Sequence, residues 1–584
     1  MARPQWRVLD VRLALVGVVL VAAWIGIGLR LVDVQALQAD EYAAQGLDQR
    51  VRQEALPAAR GTIFDRDGVE LALTIKAVTV VADPSLVEDA LAAAELLSPL
   101  LGVDRDELQS KLSAPGSRFA YLARRLERKD TEEIEFAVEE AGIAGIFFRD
   151  EFKRVYPAGA LASQLVGFVQ DDEGIGLEGL EYQYDEELAG EPGVRLIERD
   201  PYRNPIPQGQ LLVEPPQHGA DMVLTIDREI QFITEQALIG SLAENGALAG
   251  TAVVIEVATG EVLAMATVPT YDPNDRSRVD ADWFRNRAAS DMYEPGSTLK
   301  VVTIAAALEE GKVEPSTEFV LPAELAIELE PEPKVYTDVG RRTAEAMTVA
   351  EIVSRSSNIG TIMIQQEIGN QLHHQYLEAF GLGKQASGDL PGEATGRLRA
   401  VSDWCETTCG PSTAIGYRVD VTPLQMAAVF AAIGNDGVWV EPHVVREVIH
   451  ADGARDVFQP LRRPVVSEQT AVTLQRMLQG VVEAELGTGK RALVAGYSVG
   501  GKTGTTEKYL VDEGVYSDED RIASFIGIAP AQNPRVAIAV VLDSPHGEAA
   551  DGNDLKFGGV SAAPVFSRIA EAALHRLGVS PDVR

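Results

Sequence analysis

A serine and a lysine stand at a spacing that suits nucleophilic catalysis: Ser297 and Lys300 follow directly on Pro295-Gly296. Proline and glycine interrupt the chain, and an apolar helical pattern begins after them. Residues three apart share one face of a helix, so the Lys300 amine is expected to reach the Ser297 hydroxyl. A serine is a weak nucleophile until a base takes its proton, and a lysine whose pKa is lowered by burial can be that base. The pair therefore predicts an activated serine at a helix N-terminus, whose free N–H groups favour an oxyanion.

Two further polar motifs follow along the chain. Ser356 and Asn358 form an S-x-N, and Lys502, Thr503 and Gly504 form a K-T-G in a glycine-rich segment. Alone, the three motifs have ordinary explanations: a surface lysine on a capped helix, a polar loop between helices and a glycine-rich turn. Only 12 of the 584 residues are Lys, so chance matches to lysine motifs are rare. Together and in this order, the motifs predict one active site for serine acyl transfer.

The elements that must position these motifs belong to the second half of the chain. The predicted elements are a strand and then a helix opening near Asp227 within 221–246, a hairpin at 251–274, strands at 523–530 and 535–545, and a closing helix at 561–578. The apolar run before Lys502 is expected to enter the K-T-G as an inner strand. Strands at both ends of a region with helices between them predict an α+β fold class, with one antiparallel sheet flanked by helices.

The first half, residues 32–215, is charge-rich and interrupted by turns. Its pattern predicts a strand–turn–strand around Asp67-Gly68 and helices around 86–112 and 130–142. Glycine, proline and acidic clusters around 191–220 indicate connecting structure. These features predict a separate N-terminal domain.

One apolar segment near the N-terminus predicts a membrane anchor. Leu13 to Leu29 carries no charge, and its length is near the lower limit for crossing a ~30 Å hydrocarbon core. Arg3, Arg7 and Arg12 precede it, so the positive-inside rule keeps the N-terminus in the cytoplasm and exports the rest. A cleaved signal peptide is the alternative, but a charged residue follows where a small-x-small cleavage site would stand.

Composition restricts the partners. The chain has 52 Lys+Arg against 88 Asp+Glu, a net charge of −36, which argues against a nucleic-acid partner. A hydrophobic fraction of 46% is ordinary for a globular protein and too high for a disordered one. Cys405 and Cys409 are too few for a zinc site without nearby histidines. An exported location favours a local disulfide between them, with two thiols as the alternative.

With these motifs in place, the sequence resembles the class B penicillin-binding proteins over nearly its whole length, and their division-specific FtsI type most of all. The resemblance depends on Arg60-Gly61-Thr62-Ile63 with Asp65-Arg66, the run 176–190, Arg285-Asn286-Arg287, Glu294-Pro295-Gly296-Ser297, Thr422-Pro423-Leu424-Gln425 and the run 487–508. It implies a cytoplasmic tail (1–12), a transmembrane signal anchor (13–31), an elongated pedestal or dimerisation-like domain (32–215) and a penicillin-binding transpeptidase domain (216–584).

The resemblance also implies the reaction. Ser297 would attack the carbonyl between the two terminal D-alanines of a peptidoglycan stem peptide while Lys300 takes its proton. An amine of a neighbouring stem would then resolve the acyl-enzyme into a cross-link. Ser356 would relay a proton and Asn358 would hold the substrate amide. No metal or cofactor is implied, and β-lactams are expected to acylate the same serine.

The K-T-G strand is implied to bind substrate. Lys502 would keep the site positive, Thr503 and Thr505 would bind the carboxylate end, and Gly504 would allow the backbone to approach. The N–H groups of Ser297 and Thr505 would form the oxyanion hole. Three features depart from the family pattern: Ile415-Gly416-Tyr417-Arg418 stands where IGQG is usual, Thr506-Glu507 follows K-T-G-T, and Cys405 and Cys409 are not part of that pattern.

Other functions remain possible, both within class B and outside it. With water as acceptor, the same motifs would make a D,D-carboxypeptidase or a β-lactamase, although a β-lactamase is far shorter and has no pedestal or anchor. A β-lactam sensor would need several spans and a cytoplasmic output domain, whereas a scaffold role can coexist with catalysis. Within class B, the run 487–508 favours division over side-wall elongation. Division implies a polytopic glycosyltransferase and other division proteins as partners, at the cytoplasmic membrane.

Overall fold

The computed structural model describes residues 6–42, 51–199, 205–329, 332–510 and 514–583. The chain divides into two compact units, Met1–Ala58 with Gly190–His218 and Ala59–Ala189 with Gly219–Arg584. The domain limits expected from the sequence at residues 12, 31 and 215 stay predictions.

The smaller unit contains the apolar N-terminal helix. This helix runs over Trp6–Val32 and continues as a π-helical turn at Asp33–Leu37. Its apolar side chains are exposed, as at Leu13 and Leu29. Its 27 residues reach about 40 Å at 1.5 Å per residue, more than a ~30 Å hydrocarbon core. In the part of the chain that the structure describes, it is the one helix long and apolar enough to span, and it fits a single-pass membrane anchor.

A three-stranded antiparallel sheet completes the smaller unit. Its strands are Val51–Leu56, Gly193–Arg199 in the middle, and Pro205–Glu214. The expectation that 191–220 is only connecting structure is therefore wrong. Glycine and proline here mark strand ends: a Cβ on Gly193 would lie 2.5 Å from Glu214 O, and Pro205 is the first residue of its strand.

The larger unit begins with a seven-stranded sheet. Its strands are Ile63–Phe64, Glu70–Ala82, Ala120–Glu127, Ile146–Val155, Asp221–Leu224, Val445–Ile449 and Arg455–Val457. The predicted turn at Asp67-Gly68 joins the first two strands, which pair antiparallel. Helices Ala90–Leu101, Arg105–Leu112 and Arg128–Glu140 share an apolar core. The single helix expected over 86–112 is two, because Gly102 ends the first at a φ of 65° and Asp104 caps the second.

Short elements tie two of the sequence motifs together. These elements are helices Ser163–Val166, Gly179–Gln183 and Asp185–Ala189 and strands Phe168–Val169 and Gly176–Glu178. Fully buried Glu181 accepts from Arg60 Nε at 2.5 Å and from Arg154 Nε at 2.7 Å. Two guanidinium groups thus compensate one buried carboxylate, which holds the 60–66 and 176–190 motifs against each other.

A five-stranded antiparallel sheet forms the centre of the catalytic half. In spatial order its strands are Val262–Val268, Ala249–Glu256, Val536–Asp543, Val515–Ala529 and Gly500–Leu510. Alternate residues face opposite cores, so Val253 and Val254 pack into different clusters. Helices Arg228–Asn245 and Gly558–Arg576 cover one face. The predicted α+β sheet with flanking helices is confirmed, as are the strand–helix around Asp227 and the hairpin.

The other face carries helices Lys300–Glu309, Val349–Ser354, Asn358–Ala379, Cys409–Ala414, Pro423–Gly434 and Glu468–Glu483, with the short helix Arg287–Ser290. Short strand pairs lie among them: Glu318–Leu321 with Glu345–Thr348, Glu324–Ile327 with Lys334–Thr337, and Val438–Val440 with Arg462–Pro464. The K-T-G strand Gly500–Leu510 is an edge strand, so the expectation of an inner strand is wrong. The apolar run before it contains a 3-10 turn at Lys490–Ala492 and a bridge between Val494 and Tyr497, because Gly496 turns the chain there with a φ of 82°.

Candidate active site

Ser297 lies in a tight turn at the start of a buried helix. The turn is a 3-10 helix at Gly296–Leu299, which continues into Lys300–Glu309. Gly296 adopts a φ of 55°, donates its N–H to Gly416 O at 3.1 Å, and would place a Cβ 2.4 Å from Thr506 Cγ2. Only glycine fits there, so the turn holds Ser297 against the K-T-G strand.

Lys300 is buried beside the S-x-N motif. Its Nζ donates to Ser356 O at 2.7 Å and to Asn358 Oδ1 at 2.7 Å, and lies 3.4 Å from Ser356 Oγ. Among the described residues, no hydrogen bond joins it to the Ser297 hydroxyl, so that expected contact stays a prediction. Burial lowers the pKa of Lys300 to about 7, while the charge of Asp338 opposes this shift. A lysine of this pKa can accept a proton near neutral pH.

Lys502, like Lys300, lies within hydrogen-bonding distance of the Ser356 hydroxyl. Its Nζ donates to Ser356 Oγ at 2.7 Å and to Thr503 O at 3.0 Å, and its side chain is fully buried. Burial, with the nearby charge of Lys300, lowers the pKa of Lys502 well below its ordinary value. Desolvation and repulsion therefore disfavour two ammonium groups around one serine, which restricts the role of Lys502 as a permanent positive charge.

Backbone conformation places Ser356 between the two lysines. Ser356 follows helix Val349–Ser354 and has a φ of 59°, a left-handed conformation that is rare outside glycine. Helix Asn358–Ala379 then begins, with Ser357 as its N-cap. The S-x-N is thus a corner between two helices, strained at the residue that contacts both amines.

The K-T-G strand presents its residues on two faces. Thr503 Oγ1 lies 2.9 Å from Thr488 Oγ1, and Thr505 Oγ1 accepts from Gly558 N–H at 3.1 Å. A Cβ on Gly504 would lie 2.3 Å from Ser524 Oγ, so this position also requires glycine. An edge strand has backbone groups available to an extended peptide, which can add as a further strand.

Asp338 is a site residue that the sequence did not indicate. Its carboxylate accepts from Ser357 Oγ at 2.7 Å, Asn358 N–H at 2.6 Å, and Ile359 N–H at 3.1 Å. Although burial raises the pKa of Asp338, these hydrogen bonds and those from Arg341 outweigh it and lower the pKa. Asp338 lies in a strand-end turn with no motif around it, so no pattern could have found it.

Residues that depart from the family pattern lie near the nucleophile turn. Glu294 accepts from Arg418 N–H at 2.8 Å and from Tyr516 OH at 3.0 Å. Burial raises the pKa of Glu294. Cys405 and Cys409 are joined in a disulfide, as favoured from the sequence. Cys409 begins the helix Cys409–Ala414 that leads to the Gly416 contact with the nucleophile turn.

Comparison with known proteins agrees with this fold. The penicillin binding protein transpeptidase domain matches residues 250–571, and the penicillin-binding protein dimerisation domain matches 55–224. The chain is 35% identical to a probable peptidoglycan D,D-transpeptidase, PenA, of Neisseria gonorrhoeae over 92% of this chain and 88% of that one. It is 31% identical to the peptidoglycan D,D-transpeptidase FtsI of Escherichia coli, over 95% and 90%. The crystal structure of penicillin binding protein 3 of Mycobacterium tuberculosis with aztreonam matches with 30% identity and a TM-score of 0.71, over 91% and 99%.

The chain belongs to the class B penicillin-binding proteins, which join a dimerisation domain to a transpeptidase domain. It is accordingly a serine-type D,D-transpeptidase.

Proposed function

We propose that this protein cross-links peptidoglycan stem peptides in the septal wall during cell division, through an acyl-enzyme on Ser297. The observation that supports this best is the hydrogen-bonded cluster of Lys300, Ser356, Asn358 and Lys502 beside the nucleophile turn. Two lysines buried around one serine hydroxyl are costly to the fold. Such strongly perturbed groups in one place are typical of an active site.

The first step forms the acyl-enzyme. Ser297 Oγ attacks the carbonyl carbon between the two terminal D-alanines of the donor, and Lys300 takes the hydroxyl proton. The N–H groups of Ser297 and Thr505 bind the oxyanion. The peptide bond breaks, and the leaving D-alanine amine takes a proton from Ser356 Oγ, which recovers one from the lysine cluster.

Substrate binding depends on the edge strand and on Asn358. The donor lies along the K-T-G strand, where Gly504 leaves room for its backbone. Thr503 and Thr505 bind its carboxylate end, and Asn358 holds an amide. Lys502 holds the Ser356 hydroxyl in place, and its burial beside Lys300 disfavours a positive charge on both amines at once.

The second step transfers the acyl group. An amine of a neighbouring stem attacks the ester carbon, loses a proton to Lys300, and expels Ser297 Oγ, which takes the proton back. No metal or cofactor enters this scheme, and penicillin and other β-lactams stop it at the first ester.

The formation of cross-linked product distinguishes a transpeptidase from a carboxypeptidase. The full-length protein in vesicles is supplied with lipid-linked precursor and a glycosyltransferase, and the products are separated by mass. We expect cross-linked dimers with the wild type and none with Ser297→Ala. Only trimmed tetrapeptides would contradict the transpeptidase and support hydrolysis.

The division role and its partners need a separate test. The run 487–508 supports the division type, with a polytopic glycosyltransferase and other division proteins as partners of the anchor and pedestal. Depletion in the native organism should give filaments whose septa fail. Round cells would instead support the elongation alternative.

The membrane arrangement can be tested by protease protection. Arginines ahead of the apolar helix support a cytoplasmic N-terminus and a catalytic domain outside the cytoplasmic membrane. Protease added to intact spheroplasts should digest the catalytic domain and spare an N-terminal tag. The reverse pattern would contradict this orientation.

A further inference from the structure

A large cleft lies beside the nucleophile turn and takes no part in the reaction scheme above. Its volume is about 990 Å³, and its floor is the central sheet, at residues such as Thr251, Ile522 and Val541. Its walls come from segments 282–294 and 397–423. Glu294 lines it three residues before Ser297, and Thr506 lines it directly after Thr505.

The nucleophile turn borders this cleft through Glu294. Thr506 Oγ1 donates to Glu294 O at 3.0 Å, which fastens the turn to the K-T-G strand. Pro295 and Thr298 pack against Gly504 further along the same strand. The nucleophile turn therefore contacts both the K-T-G residues assigned to the donor and residues that line this cleft.

The cleft is richer in positive charge than the rest of the molecule. The whole chain carries −36, yet six basic and six acidic residues line the cleft: Arg285, Arg287, Arg397, Arg399, Arg418 and Lys508 against Asp282, Asp291, Glu294, Asp420, Glu507 and Asp543. Four of the basic groups are paired with carboxylates of the lining.

Two guanidinium groups of the lining stay without a protein partner. In the described part of the chain, the side chains of Arg399 and Arg418 make no hydrogen bond or ion pair, and both residues are exposed. Arg418 also has a φ of 66°, a conformation that favours glycine. Its N–H is bound to Glu294, so the strained backbone holds its side chain at the cleft mouth. Strain of this kind at an unpaired charge points to a ligand.

We propose that this cleft is an anion-binding subsite for the acceptor stem peptide, with Arg418 and Arg399 as the groups that bind its carboxylates. This deepens the proposed function and rests on it. An acceptor stem is a peptide that carries both carboxylates and the attacking amine. The donor occupies the edge strand, so the acceptor must reach the Ser297 ester from another side. Arginine binds carboxylates in a bidentate manner, which fixes the position of the peptide relative to its amine.

The test is a binding titration that needs no turnover. The tripeptide L-Ala-γ-D-Glu-L-Lys lacks the D-alanines of a donor, and is titrated calorimetrically into full-length Ser297→Ala protein in detergent. We expect Arg418→Ala and Arg399→Ala each to weaken its binding about tenfold. The same tripeptide with amidated carboxylates should bind weakly and equally to all variants. Arg446→Ala removes an exposed arginine outside the cleft and should change nothing.

Two results would overturn the subsite. One is an unchanged affinity of the acidic tripeptide in both arginine variants, or no binding at all. The other is an equal loss for the amidated peptide, which would indicate a structural effect. Failure of the wild type to cross-link would instead contradict the proposed function, and the titration reads the subsite independently of it.

Discussion

Lys502 Nζ donates a 2.7 Å hydrogen bond to Ser356 Oγ, across 146 residues of sequence. The contact joins the K-T-G strand to the S-x-N corner, and Lys300 meets the same corner from the nucleophile helix. Ser356 therefore connects two amines whose pKa values are both lowered by burial. The Ser356 hydroxyl therefore joins Lys300 and Lys502 in one hydrogen-bonded chain.

Removing the Ser356 hydroxyl should slow acylation. Ser356→Ala takes away the only side-chain acceptor of Lys502 among the described residues and breaks the path between the lysines. Loss of a proton-transfer group costs about 10²-fold or more, so penicillin acylation in stopped flow should slow by that factor. Ser354→Ala deletes a hydroxyl that bonds only within its own helix and is the control. Equal rates in both variants would contradict the relay.

The rate of acylation should depend on pH through Lys300. Its pKa is about 7, and only the neutral amine can accept the Ser297 proton. Below pH 6 the neutral fraction falls about tenfold per unit, and above pH 8 it is nearly complete. Acylation by penicillin should therefore rise with pH, reach half its plateau near pH 7 and level off above about pH 8. A flat profile between pH 5 and 7 would exclude Lys300 as the base.

The charge of Asp338 should set the pH at which the acylation rate reaches half its plateau. Its carboxylate raises the pKa of Lys300 against the larger effect of burial. Asp338→Asn should therefore move the midpoint of the acylation profile to lower pH. It should also reduce the plateau rate, because an amide cannot accept all the donors that orient Asn358. Glu345→Gln, which removes a partly exposed carboxylate paired with Arg355, should leave the midpoint in place. A midpoint that moves upward would contradict the assignment.

The sequence predicted the site better than it predicted the contacts within it. The type and order of the motifs predict Ser297, Lys300, Ser356 and Lys502, because the chemistry of a side chain depends only on its residue type. Apolar patterns also predicted strands of the central sheet, because each buried apolar run there is bounded by turn residues. The sequence did not predict the hydrogen bond from Lys300 to Asn358, because that contact depends on how two helices pack.

Other misses have the same physical origin. Asp338 acts through backbone N–H groups twenty residues away, which no local pattern records. The sequence did not predict the strands Gly193–Arg199 and Pro205–Glu214, because the glycine and proline at their ends indicate loops. The edge position of the K-T-G strand depends on strand order, which follows from tertiary pairing and not from apolar content.

Gly504 should tolerate no side chain. A Cβ there would lie 2.3 Å from Ser524 Oγ and 3.1 Å from Pro295 O, so the strand and the nucleophile turn must separate. Gly504→Ala should reduce penicillin acylation more than tenfold, since a displacement of about 1 Å can cost 10²-fold. Gly480→Ala, in a helix where a Cβ meets only Ser354 Cβ at 3.7 Å, should leave acylation unchanged. Wild-type acylation by the Gly504 variant would show that the strand can adjust.

The disulfide should stabilise the wall of the active site. Closing a five-residue loop is worth about 2 kcal/mol by chain entropy. Cys405→Ala with Cys409→Ala should therefore make the segment 405–416 more susceptible to limited proteolysis, and slow acylation modestly through Gly416 and its contact with Gly296. Adding dithiothreitol to the wild type should reproduce both effects and should not affect the double variant. Unchanged proteolysis would indicate that packing alone holds this segment.

The account depends most directly on Ser297 as the acylated residue. The full-length wild type and Ser297→Ala are incubated with fluorescent penicillin, and the adduct is mapped by peptide mass. The predicted result is one adduct on the peptide that contains Ser297 in the wild type and no adduct in the variant. An adduct of equal yield in Ser297→Ala, or one mapped to another serine such as Ser356, would contradict the account.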